Sequence, residues 1–284
     1  MDVNQLKAEN EFLKAEKKLS LQQLDKLNTK LTESEAFKSH FLSNISNEII
    51  NPFTSILGLS QNIIDLKSSD IKEIHEMSKL IQNEAFDLDF QLRNIFAAAK
   101  IESGEHSLEM NLIPTLPFIS KIIESLSLKA NKKGLTIDFN HSFAIEHLPS
   151  DEEKLRLILS NLIMNAINFS PEGETIFIDC ENTIHGFIFK INNQGSTISA
   201  KDSSIIFDRF IKLNNSINTL NLGHGLGLSI IRDFIELLNG TIELESNDEN
   251  GTTFTIHLPP MKATDNNLFL DEEDLFMNGD TTIF

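Results

Sequence analysis

GHGLGL, residues 223–228, is the stretch whose residue types and spacing best suit chemistry. It sets Gly223, Gly225 and Gly227 at the mouth of an apolar helical segment, where unpaired backbone N–H groups can cradle phosphate oxygens. The same glycines also suit close packing of a helix on a sheet, and the sequence leaves both readings open. Two asparagine-rich stretches accompany it. NLIMNAINF holds Asn161 and Asn165 one helical turn apart, and INNQGSTIS holds Asn193 and Gly195 at the end of an apolar run. Far upstream, SNISNEIIN places Asn47 and Asn51 at i and i+4, with Glu48 three residues before Asn51. One helix face would then present two carboxamides beside a carboxylate. The 8 His show no metal-ligand spacing, and the single Cys180 excludes an internal disulfide framework and a multi-Cys zinc site.

These groups need elements to position them. Residues 1–33 have no Gly or Pro; Leu6, Leu13 and Leu27 share one heptad phase and Leu24 and Leu31 the other. Asn10, Lys17 and Ser20 interrupt the seam, which predicts a weak parallel coiled coil. Over 34–106, Phe41, Ile45, Ile49, Phe53, Ile56 and Ile63 form one helical stripe, slightly kinked at Pro52. A turn at Lys67–Asp70 leads to a second stripe through Ile74, Met77, Ile81, Leu88, Leu92 and Ile95. One hairpin cannot bury both stripes, so dimerisation into a four-helix bundle is expected. From 107 to 260 the pattern mixes helices and strands without regular alternation, an α+β layer with helix stops at Gly134 and Asn239-Gly240. Residues 261–284 form an acidic tail with two Phe-bearing clusters, a solvating end or a peptide that docks on a partner.

With the motifs in this order, the chain resembles the bacterial sensor histidine kinases. FLSNISNEIINPFTSILGLSQ resembles their histidine box, NLIMNAINFSPEG the asparagine box, FDRF the phenylalanine box, GHGLGLSI the second glycine box and GTTFTIHLP the closing strand. The resemblance covers roughly residues 34–260. It implies a multidomain α and α+β protein: a dimerisation and histidine-phosphotransfer hairpin, then an ATP-binding α/β sandwich shared with gyrase. It also implies ATP and Mg2+ as cofactors, held by Asn161, Asn165 (the metal ligand), Asn193, Gly195, Gly223, Gly225 and Gly227.

The departures fall on the chemistry. Asn47 stands where the family has its phosphoacceptor His, and a carboxamide nitrogen, its lone pair delocalised, is too weak a nucleophile to attack a γ-phosphate. His40, two turns earlier, is an alternative acceptor or simply a surface histidine. Leu157 replaces a Glu or Gln, Asn168 a phosphate-reaching Lys, Asn193 an adenine-reading Asp, and Thr197 a glycine. Thr197 adds a Cβ where the backbone is expected to need positive φ or close approach. Glu48 and Asn51 preserve the pattern with which the family orients water against a receiver's aspartyl phosphate.

The expected function is therefore that of a catalytically impaired histidine kinase homologue. It would bind a response-regulator receiver domain or another kinase as a homodimer and regulate a phosphorelay. The alternatives are a phosphatase of receiver aspartyl phosphate using Glu48 and Asn51, and an active kinase whose acceptor His was replaced by Asn47. Lys and Arg number 24 against 42 Asp and Glu, a formal charge of −18 that disfavours nucleic acid and anionic membranes. No apolar run of about 18 residues and no signal-peptide pattern is seen, so a cytoplasmic location without membrane insertion is expected.

Overall fold

The computed structural model describes residues 49–67, 70–105, 107–195, 197–209, 211 and 225–260, with scattered helical residues between 13 and 29. The coil's register, the upstream half of the first stripe and the acidic tail lie outside them. The chain divides into two compact units, one of Met1–Glu102 with Gly223–Leu226, the other of Ser103–Leu222 with Gly227–Phe284.

In the first unit, helix α1 covers 49–65 and α2 covers Ile71–Glu102. Asp70 opens α2: its carbonyl accepts from Ile74 N at 3.0 Å, and its carboxylate accepts from Lys67 N at 3.2 Å. Ile49, Ile56 and Ile63 of the first stripe are half-buried, and so are Ile74, Met77, Ile81, Leu88 and Leu92 of the second. Along α2, full burial is confined to Asn94, Ile95, Ala97 and Ala98. Phe53, Leu57, Ile64, Ile71 and Phe96 remain exposed.

The second unit is a layer of helices on one sheet. Its elements run β1 (Met110–Pro114), α3 (Thr115–Lys132), β2 (Thr136–Phe143), β3 (His147–Asp151), α4 (Glu152–Phe169), β4 (Thr175–Thr183) and β5 (Gly186–Asn193). A single turn α5 (Ala200–Ser203), then α6 (Gly227–Leu237), β6 (Thr241–Asn247) and β7 (Gly251–Leu258) complete it. The sheet order is β2-β4-β5-β7-β6, parallel between β2 and β4 and antiparallel elsewhere. Alternation puts Ile176, Ile178 and Cys180 of β4, Phe187, Phe189 and Ile191 of β5, and Phe254, Ile256 and Leu258 of β7 on the buried face. Burying each of the two Phe of β5 stabilises the fold by about 2–3 kcal/mol. The outer face carries Asp138, Asp179, Glu181, Glu243 and Glu245 against Lys190.

Strands β1 and β3, each containing a Pro, were not expected; they pair antiparallel as a separate two-stranded ribbon. The ribbon is tied to the sheet by Asn182, buried in β4, whose Nδ2 donates to Thr115 Oγ1, Ile145 O and His147 O at 3.0, 2.8 and 3.2 Å. The helix stops behave as expected in kind. Gly134 has φ +68, and the turn that follows α6 ends at Asn239, which itself takes the left-handed φ of 56.

Helix α4 lies inside the layer, with Leu155, Ile158, Leu159, Leu162 and Ile163 all at 1% exposure or less. Asp151 caps it. The carboxylate accepts from Lys154 N at 3.0 Å and from Glu109 N at 2.9 Å, and pairs with Lys154 Nζ at 2.6 Å. Burial alone would raise the Asp151 pKa; the Lys154 ammonium and the two backbone N–H groups outweigh it and hold the carboxyl below its usual range. A depressed carboxyl stabilises the fold above its unfolded pKa, and that increment is lost as pH falls through the folded value. Asp151→Ala should cost about 2 kcal/mol, the sum of a lost cap and an unpaired Lys154. In urea melts followed by far-UV circular dichroism, the parent should lose stability below about pH 3.8, and Asp151→Asn should show a shallower acid limb.

Candidate functional site

The asparagines and glycines singled out above gather where α4, the end of β5, the start of β7 and the start of α6 meet. Asn161 is 3% exposed, and its Nδ2 donates to Leu157 O at 2.9 Å. Its Oδ1 faces the first residue of α6: a Cβ on Gly227 would lie 2.7 Å from it. A side chain at Gly227 would therefore have to displace the Asn161 carboxamide. Asn165, one turn on, is half-buried, and no described residue bonds its carboxamide. Leu157 is core, at 8% exposure, with no polar group to offer.

Asn193 ends β5 on the inner face, paired with Ile176 and Thr252. It is 5% exposed, and its Nδ2 reaches Gln194 O at 3.4 Å. Gly195 follows at a backbone crossing: an added Cβ would stand 2.5 Å from Phe169 O and 3.0 Å from Asn193 Nδ2. Thr197 does not take the positive φ expected at its position. Among the described residues Asn239 is the only non-glycine with positive φ, so Thr197 is unstrained. Its hydroxyl donates to the Asp248 carboxylate in the β6–β7 turn, and Ile198 N donates to Ser246 Oγ at 2.9 Å. The threonine anchors the loop to the hairpin instead of distorting it.

Other positions frame the same region. Gly251 (φ +70) went unnoticed in the sequence; a Cβ there would collide with Asn193 O. The signal was the polar turn NDENG preceding a strand. Lys133, also unanticipated, donates to Ile167 O at 2.9 Å and Asn168 O at 2.8 Å, covering the last carbonyls of α4. Burial lowers its pKa, with Glu172 opposing. From the FDRF segment, Phe207 packs edge-on to Phe254 at 6.5 Å. Asp208 and Arg209 pair reciprocally with Arg232 at 3.5 Å and Asp233 at 3.2 Å of α6.

Asn47, Glu48 and Gly223 lie outside the described residues, as does His40. Asn51 is exposed on α1, in the first unit, and Gly225 has φ +67. The Cys180 thiol is buried in β4 and pushed up by burial and then by Asp179, which makes it inert. Among the described residues no cluster of three His, Cys, Asp or Glu could hold a metal. The donor set around Asn161, Asn165 and Asn193 is neutral. It suits hydrogen bonding to a ligand, and one amide oxygen suits Mg2+, which keeps most of its shell as water and phosphate oxygens.

With this geometry, residues 150–262 match the family described as histidine kinase-, DNA gyrase B-, and HSP90-like ATPases. Curated proteins similar to the chain include histidine kinase P4 of Formosa agariphila, 30% identical over 250 residues, covering 87% of this chain and 18% of that protein. Circadian input-output histidine kinase CikA of Synechococcus elongatus is 27% identical over 258 residues, covering 85% and 34%. Heme sensor protein HssS of Staphylococcus aureus is 30% identical over 239 residues, covering 83% and 50%. The chain therefore spans half or less of each of these relatives. Among solved structures, full-length ShkA in complex with AMPPNP aligns with TM-score 0.57 at 21% identity, over 78% of this chain and 46% of that one. The histidine kinase AdeS of Acinetobacter baumannii aligns with TM-score 0.52 at 22% identity, over 76% and 98%. At these identities the two structures speak for the fold. No described helix is long and apolar enough to cross a membrane.

The glycine contacts make a prediction that needs no ligand. Gly195→Ala should lower stability by about 2 kcal/mol, since the obstructing atom is backbone. Gly58→Ala, in α1 with nothing within 4 Å of the added methyl, should be neutral or stabilising by up to about 1 kcal/mol. Thermal melts of the ligand-free protein check both.

Proposed function

We propose, for a chain whose residues 150–262 are the ATP-binding domain of the sensor histidine kinase family, a regulatory role in two-component signalling without autophosphorylation. The protein docks on a response-regulator receiver domain, or on a partner kinase, as a dimer through its helical unit. It holds a purine nucleotide as a ligand and transfers no phosphoryl group from it. The observation that carries this reading is chemical. The position resembling the family's phosphoacceptor is Asn47, and the groups gathered near α4, β5 and α6 are neutral carboxamides and close-packed glycines.

Supporting details concern what those groups can do. Asn165 offers Mg2+ a single neutral amide oxygen, which leaves the rest of the ion's shell to water and nucleotide phosphates. Leu157 offers no carboxamide or carboxylate to orient water, and Asn168 offers no ammonium to the phosphates. Asn51 favours a second reading. It is exposed on α1, three residues after Glu48 in sequence, where a carboxamide can orient water against a docked aspartyl phosphate. Such hydrolysis needs no phosphohistidine.

Two measurements test these readings. Incubation with radiolabelled ATP and Mg2+ should give no acid-labile phosphoprotein, and Asn47→His should not restore labelling; label lost on His40→Ala would overturn the first. For the second, Asn51→Ala should slow dephosphorylation of the protein's receiver by about 10-fold or more. An unchanged rate would remove Asn51 from that role.

A further inference from the structure

The carboxamides of the sheet are not alike. Asn182 spends its Nδ2 on three acceptors, and Asn192 spends its own on Asn250 O, Thr252 O and Thr253 Oγ1. Asn193, next in line and only 5% exposed, has Gln194 O at 3.4 Å as its one side-chain partner among the described residues. That distance is at the outer limit of a hydrogen bond. No described residue donates to its Oδ1. Its Oδ1 is not sealed from solvent, so a ligand from outside the chain can meet the carboxamide.

The backbone around it is held fast. Gly195 is pressed against Phe169 O, and Gly251 against the carbonyl of Asn193 itself. Ile176 and Thr252 pair with it on either side. What remains free is rotation of the carboxamide about its own terminal bond, which exchanges Oδ1 and Nδ2.

Resting on the nucleotide reading above, with Asn193 at the position that the resemblance assigns to base reading, we propose that as a neutral amide it accepts 6-oxopurine as well as 6-aminopurine nucleotides. A 6-aminopurine presents a donor at its exocyclic nitrogen and an acceptor at N1; a 6-oxopurine presents an acceptor at O6 and a donor at N1. In one orientation Oδ1 accepts from the amino group while Nδ2 donates to N1. In the other Nδ2 donates to O6 while Oδ1 accepts from N1–H. A carboxylate at the same place could only accept and would repel O6. The exchange forfeits one long contact to Gln194 O, so the two bases bind with similar strength.

ADP and IDP differ at this one ring position and are the probes. Titration calorimetry on the full chain should give dissociation constants for the two within about fivefold, because neither leaves a buried polar group unpaired. Asn193→Asp should then favour ADP over IDP by at least about tenfold, and Asn193→Leu should weaken both together. A parent that prefers ADP by more than tenfold overturns the inference and leaves the nucleotide reading intact. Binding of neither nucleotide overturns both. An Asn193→Asp ratio equal to the parent's also overturns the inference, and far-UV melts certify that each variant is folded.

Discussion

The middle of helix α4 is packed inside the layer, and both of its ends are closed by side chains from outside the helix. The N-terminal end is satisfied by Asp151, which also brings in Lys154 and the backbone of Glu109. The C-terminal end is satisfied by Lys133, whose ammonium lies on the last carbonyls and complements the negative end of the helix dipole. Both partners come from or adjoin connections outside the five-stranded sheet: Asp151 ends ribbon strand β3, and Lys133 follows α3. The ribbon and α3 are therefore conditions for α4 being where it is. Asn161, Asn165 and Phe169 O, which together shape the candidate site, inherit their positions from that arrangement.

The site is consequently built from close approaches of backbone. Gly195 passes Phe169 O, Gly227 passes Asn161 Oδ1, and Gly251 passes the carbonyl of Asn193. Each glycine has a packing reason that operates with no ligand present. The formal charge lies elsewhere: the outer sheet face is acidic, while the inner region beside α4 presents amides. A net charge of −18 therefore says little about what the inner region binds.

Much of the second unit was legible in the sequence, because α4, α6 and β4 to β7 carry strong period-3.6 or period-2 patterns over whole elements. Ribbon strands β1 and β3 were not, since each spans five residues with a Pro and owes its pairing to Asn182 and Thr115. The asparagines and glycines of the site could be named from their motifs, but not what each does. Thr197 looked like a steric fault until its φ and its bond to Asp248 were known. Lys133 carries no motif, because its role depends on a helix end 34 residues away in sequence. The expectations for Asn47, Glu48 and Gly223 fall on residues outside those described, so for them sequence chemistry remains the argument.

These packing roles change what the motif resemblance can be asked to prove. A glycine whose Cβ would strike a carbonyl is required by the fold alone, so its presence is no evidence of phosphate binding. Asn161, braced between Leu157 O and Gly227, stands in the same position. Evidence of function has to come from groups the fold does not use: the Asn165 carboxamide, the Oδ1 of Asn193 and the exposed side chain of Asn51. All three are amides. An amide can orient water, take one place around a cation or read the edge of a base, but it cannot serve as the nucleophile of an autokinase. Those remaining groups suit the ligand-responsive regulation of phosphoryl flow proposed above.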